Sequence, residues 1–133
     1  MTVRRVTAFT VEVEDRPGTL AEMAQPVADA GINLLAVYGG PTSEGRAMIC
    51  CVPEDPGPLR ALAAEGGVPV QERECLLVEG EDRPGAGAEL ARKLAGAGIN
   101  IEQMLATASG GTFAACVVVA PGDIDKAAAA LGG

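Results

Sequence analysis

The sequence predicts an α+β fold built as two βαββαβ units in tandem, the second lacking its last strand. Three observations carry that reading. The stretch Glu14-Asp15-Arg16-Pro17-Gly18 returns 67 residues later as Glu81-Asp82-Arg83-Pro84-Gly85. Gly31-Ile32-Asn33 returns at the same interval as Gly98-Ile99-Asn100, and 13 of the 20 positions from Glu14 to Asn33 are identical in the second copy, which marks a duplication. Around each repeat the apolar residues switch between strand spacing and helix spacing.

Residues 8–14 alternate, with Phe9, Val11 and Val13 on one face and Thr10, Glu12 and Glu14 on the other, as in a half-buried strand. Pro17 fixes one backbone dihedral and Gly18 permits an unusual one, so the strand can turn sharply into a helix. Leu20, Met23, Ala24, Val27 and Gly31 follow at helical spacing. Thr19 and Glu22 match a capping box at the helix start, and Pro26 should kink the helix in this copy alone, because Lys93 takes its place in the second. Gly31 and Gly98 are expected helix stops. Residues 32–38 read as a strand, 39–45 as a loop of turn formers, and 47–52 as a strand apolar enough to be buried on both faces. Asp55 and Pro58 start a short helix with Leu59, Leu62 and Ala63 inward, Gly66 ends it, and a strand from Val68 closes the unit.

The second copy repeats the order: strand 76–79, helix 87–97, strands 99–105 and 113–120, then a helix capped by Asp123 with Ile124, Ala127 and Leu131 inward. The expected units are residues 1–71 and 72–133, joined by one long strand over 68–79 and packed as one body. Without a closing strand, the second unit should have an open edge that a second chain covers.

Composition narrows the function. Hydrophobic residues make up 48% of the 133 residues while aromatics make up 2%, so the core must rest on Val, Leu, Ile and Ala. A net charge of -8, with no run of Lys or Arg longer than two, argues against nucleic acid and anionic membranes as partners. No apolar run approaches the ~20 residues of a membrane span, and Glu12 and Glu14 interrupt any signal-like segment, so a cytoplasmic protein is expected. Four cysteines, none in C-x-x-C spacing, and no histidine argue against a zinc or other metal site and point to small buried hydrophobes. A Ser-His-Asp or Cys-His arrangement is impossible without histidine, and the acidic residues are scattered. No catalytic residue and no cofactor is expected, and the chain does not read as an enzyme. Gly85-Ala86-Gly87 begins like a dinucleotide fingerprint, but Leu90 stands where the third glycine belongs.

The repeated loop is the candidate site. Free N–H groups and the positive end of a helix dipole attract an anion such as a carboxylate. Asp15 with Asn33, or Asp82 with Asn100, would then hold an ammonium, and together these groups suit a free amino acid. The same residues also serve a strand-to-helix turn with Asp as a local cap and no ligand.

A strand ending in E-D-R-P-G, a helix, G-I-N opening the next strand, then a hairpin and a second helix resembles the ACT domain, a small ferredoxin-like module. The resemblance covers nearly the whole chain as two consecutive units. It implies a non-catalytic regulatory protein that binds amino acids or other small metabolites at interfaces between modules. By that resemblance the ligand is held by Asp15, Gly18 and Asn33 in one unit and Asp82, Gly85 and Asn100 in the other. Arg16, Pro17 and Thr19, or Arg83, Pro84 and Ala86, complete the two loops. Many family members carry Asn where this chain has Asp15 and Asp82, and a carboxylate there favours a ligand ammonium while repelling a ligand carboxylate. Ala86 lacks the hydroxyl of Thr19, so the two sites differ. The resemblance further implies a homodimer and a partner metabolic enzyme. The alternative is a ligand-free interaction module that docks on such an enzyme.

Overall fold

In the computed structural model, which describes residues 1–132, the elements follow the expected order. They are β1 (Thr2–Glu14), α1 (Thr19–Asp29), β2 (Leu34–Ser43), β3 (Arg46–Pro53), α2 (Pro56–Glu65), β4 (Gln71–Glu81), α3 (Ala86–Gly96), β5 (Ile101–Ser109), β6 (Thr112–Val119) and α4 (Ile124–Ala130), the last preceded by a 3-10 turn at Pro121–Asp123. The fold is α+β, with the ferredoxin-like pattern run through twice.

The chain divides into two units, one of Thr7–Arg73 and one of Glu74–Gly133 together with Met1–Val6. The division passes after Arg73 and assigns the first six residues to the second unit. Both β1 and β4 are single strands through which the division passes. In the first unit the strand order is β2-β3-β1, with β1 antiparallel to β3 from Phe9 opposite Cys51 to Glu14 opposite Arg46. In the second it is β1-β4-β6-β5, with Leu76 opposite Val117 and Glu81 opposite Thr112. The start of β1 therefore takes the place of the missing last strand, and the edge expected to lie open along β4 is filled from within the chain.

Local chemistry explains the longer β1. Val3 packs on the second unit's core, Val6 is buried, and Arg5 pairs with Asp125 of α4 at 2.5 Å. Residues 39–43, expected as loop, extend β2. Gly39 permits this: a Cβ there would lie 2.4 Å from the Met48 carbonyl oxygen, so the strands approach where only glycine fits. β4 begins at Gln71, after Pro69, and not at Val68.

The two helix-covered cores differ in how well they are filled. The second unit buries Leu76, Val78, Leu90, Leu94 and Val117 completely, with Ile124, Ala127 and Leu131 of the last helix closing over them. The first unit buries Phe9, Val27, Ile49, Cys51 and Leu59, while Val11, Met23, Leu34 and Leu62 only partly close the core. All four cysteines are free and buried, as expected of small core residues. Cys75 and Cys116 bring their sulfurs to 3.5 Å. Strands β3 and β6 each end in a run of consecutive buried residues, as central strands should.

This asymmetry sets an expected outcome. Leu90→Ala, at a completely buried position, should cost about 2–5 kcal/mol. Met23→Ala, at the matching position of the first unit, should cost less, because its side chain is only partly buried. Urea midpoints of the two variants check the order, and an equal loss would contradict it.

Candidate functional site

Each D-R-P-G loop ends a strand and starts a helix through a left-handed glycine. Gly18 has φ +92° and Gly85 has φ +88°, values that L residues with a side chain rarely adopt. The loop is pinned to the neighbouring hairpin, since the Asp15 N–H donates to the Gly45 carbonyl and the Asp82 N–H to the Gly111 carbonyl, both at 3.0 Å. The first helical bonds are from the Glu22 N–H to the Gly18 carbonyl and from the Glu89 N–H to the Gly85 carbonyl.

The expected capping box does not form. No side chain caps α1 or α3. The Thr19 hydroxyl turns back and donates to the Glu14 carbonyl at 3.0 Å, and Glu22 is taken by Arg16 through two hydrogen bonds of 3.2 and 2.7 Å. Arg16 also donates to Glu14 at 2.9 Å, so its guanidinium is tied within the loop. Arg83 is tied likewise to Glu89, which also receives Lys93 at 3.5 Å. The first N–H of each helix donates within the turn, Thr19 to the Arg16 carbonyl at 3.4 Å and Ala86 to the Arg83 carbonyl at 3.2 Å, and the N–H groups of the next two residues have no side-chain acceptor.

Beside the loop of the first unit lies a pocket of about 260 Å³. Its walls are residues 13–16 with Thr19 and Leu20, residues 37–41 of β2 and residues 47–49 of β3. Of the β2 wall, Val37 and Tyr38 lie in the strand expected over 32–38, while Gly39, Gly40 and Pro41 fall in the stretch expected as loop. The signal there was Gly39 directly after the apolar run that ends at Tyr38, which marks close backbone approach as readily as a turn.

Asp15, Arg16, Pro17 and Gly18 are exposed in this loop and Thr19 is half-buried; Asp82, Arg83, Pro84 and Gly85 are exposed in the other, and Ala86 is buried as the first residue of α3. Asn33 does not join Asp15 within the unit. It sits at the opposite end of the sheet, donating from its side chain to Glu54 at 3.2 Å, just beyond the C-terminal end of β3. Asp15 is held at the other end of that strand, and eight residues of β3 separate the two ends by roughly 23 Å at ~3.3 Å per residue. Asn100 and Asp82 are parted in the same way, because Asn100 precedes Ile101, which pairs with Val119, whereas Asp82 bonds beside Thr112. A same-unit ammonium site of Asp with Asn is therefore not built.

Electrostatics at the loops is set by the arginine pairs. Hydrogen bonds from Arg16, helped by its charge, hold the Glu22 carboxyl below the usual carboxylate range, and Arg83 acts in the same way on Glu89. Among the described residues no group of three or more His, Cys, Asp or Glu is placed to hold a metal ion, and no helix is long and apolar enough to cross a membrane.

Residues 7–65 match the ACT domain family model. The ACT match lies inside the Thr7–Arg73 unit and ends with α2. No curated protein matches the chain. Among solved structures the chain is similar to a protein of Bacteroides thetaiotaomicron, with a TM-score of 0.85 at 19% identity, covering 97% of this chain and 88% of that one. It is also similar to the ligand-free regulatory subunit of aspartate kinase from Thermus thermophilus, with a TM-score of 0.67 at 20% identity, covering 98% and 93%. Aspartokinase III of E. coli, solved in complex with lysine and aspartate, aligns at a TM-score of 0.60 and 22% identity, covering 97% of this chain and 31% of that one. At these identities the likeness is one of fold, and it embraces the second repeat as well as the ACT-matching first.

The depressed carboxyls fix a sign for pH. A folded-state value below the ordinary one contributes stability above the ordinary carboxylate range that is lost as pH falls through the depressed value. Both pairs are exposed, so the contribution is small. Arg16→Gln should return the Glu22 titration, followed by carboxyl chemical shifts, to the ordinary range and leave Glu89 depressed. An unmoved Glu22 would show that the Arg16 pair is absent in solution.

Proposed function

We propose that this chain is a non-catalytic regulatory protein of the ACT type that binds a free amino acid at its D-R-P-G loops. The observation that carries the reading is the uncapped start of α1 facing a small pocket beside Asp15. The N–H groups of Leu20 and Ala21, which have no backbone acceptor in the turn, would take the ligand carboxylate, which the dipole favours. Asp15, on the same loop wall of the pocket, would take the ammonium. A pocket of about 260 Å³ is smaller than the ~300–1,000 Å³ typical of drug-sized ligands and suits a metabolite of few atoms. The α3 start and Asp82 would serve as a second site.

The ACT match over residues 7–65 supports this reading, as does the similarity to aspartate kinase regulatory subunits. Asn33 and Asn100 drop out of a same-unit site on the geometry above. Arg16 and Arg83, each held by glutamates, would brace the loops without clamping the ligand. Pro17 and Pro84, with Gly18 and Gly85, would set the turn. The signal would pass to a partner metabolic enzyme through a homodimer.

A second reading, docking without a ligand, is favoured by one observation. Strand β5 is exposed along almost its whole length, with Met104 42% and Leu105 39% exposed. Such an edge is a template for pairing with another chain.

Thermal melting against each of the twenty amino acids at millimolar concentration separates the two. Sensing requires one amino acid, or a small set, to raise the midpoint, by ~2.7 kcal/mol of added stability at 100 times its dissociation constant. Asp15→Asn and Asp82→Asn should each reduce that shift. Gly18→Ala is a poorer probe, because its backbone strain alone costs about 1–2 kcal/mol whether or not a ligand binds. Identical midpoints with all twenty would reject sensing in favour of docking through β5.

A further inference from the structure

The larger cavity of the first unit lies away from the loop. It measures about 460 Å³ and sits under α1 and α2 against the helix-facing side of the sheet. Its walls include Phe9, Val11, Met23, Val27, Leu59 and Leu62, and it shares no residue with the pocket beside Asp15. The duplication supplies an internal comparison. The residues 67 positions beyond Phe9, Val11, Met23 and Val27 are Leu76, Val78, Leu90 and Leu94, and all four are completely buried. At the end of the covering helix, Gly66 and Leu131 hold equivalent capping places. Their backbones match at φ -80°, ψ -4° and φ -86°, ψ 0°, and each precedes a left-handed glycine. Leu131 is 1% exposed and closes its core, whereas Gly66 at the cavity rim brings no side chain, and a Cβ there would meet Val68 at an ordinary contact of 3.5 Å.

We infer that the space under α1 and α2 of the first unit is a binding site for an uncharged apolar small molecule, an alkyl or aryl compound, distinct from the amino-acid site. Its size falls within the range of ligand pockets, and its walls are apolar. Charge narrows the class. No Lys or Arg lines the cavity, and of its two rim carboxylates, Glu22 and Glu65, the first is already paired with Arg16, so an anionic amphiphile would find no lining cation to pair with. Burial pushes the Cys51 thiol in the wall up to about 11, so it stays neutral. Met23, unbranched and polarizable, adapts to ligands of different shape.

The test uses the full chain and the neutral fluorophore N-phenyl-1-naphthylamine. Saturable enhancement with one equivalent bound is expected. Gly66→Leu, which places the Leu131 side chain on a backbone that already accepts it, should weaken that binding by at least about tenfold by filling the site. Ala63→Leu, on the same wall, should act alike and decides the matter if Gly66→Leu does not melt cooperatively. Asp15→Asn should leave the probe bound, which separates this site from the amino-acid reading. Dodecanol should displace the probe and laurate should do so about tenfold less well. Absence of saturable binding, full affinity in both filled variants, or displacement by laurate as effective as by dodecanol would overturn the inference.

Discussion

A strand that must reverse into a helix within four residues governs this molecule. The reversal needs a positive φ, and Gly18 and Gly85 supply it at the same place in each repeat. Because the glycine occupies the capping position, no Ser, Thr, Asp or Asn side chain can stand there to satisfy the first N–H groups of the helix. Thr19, one residue later, faces back toward the strand, and Glu22 and Glu89 are drawn off by arginines. The geometry of the turn and the availability of its helix end for an anion are thus one constraint.

Duplication then gave each half a separate history. The turns are retained almost residue for residue, while the cores beneath the helices diverge. Leucines seal one core, and Met23 and Gly66, where the other copy has Leu90 and Leu131, leave a cavity in the other. The same two strands also bind the duplication together in sequence. β1 contributes its first residues to one unit and the rest to the other, and β4 is divided in the opposite sense. In the second unit the start of β1 lies beside β4.

Much of this was legible in the residues. Alternation at Phe9, Val11 and Val13, the Asp55 cap and the inward set Ile124, Ala127 and Leu131 each led to the observed element. What escaped depended on distant partners. Arg5 looks like an interruption until Asp125 of the last helix meets it, and Gly39-Gly40-Pro41 looks like a turn until the Met48 carbonyl occupies the space of a Cβ. The candidate site was half legible. Asp15 precedes the start of α1 and Asn33 follows its end, so an 11-residue helix of about 16 Å carries them to opposite ends of the unit.

The central claim is that an amino acid lies against the open start of α1. Amide chemical shifts of the labelled protein, recorded while pooled amino acids are titrated in, address it most directly. The account predicts saturable shifts centred on Asp15, Gly18, Thr19 and Leu20, with a second set on Tyr38 and Gly39 across the pocket. Saturable shifts confined to other parts of the chain, or no shifts with any amino acid, would contradict it.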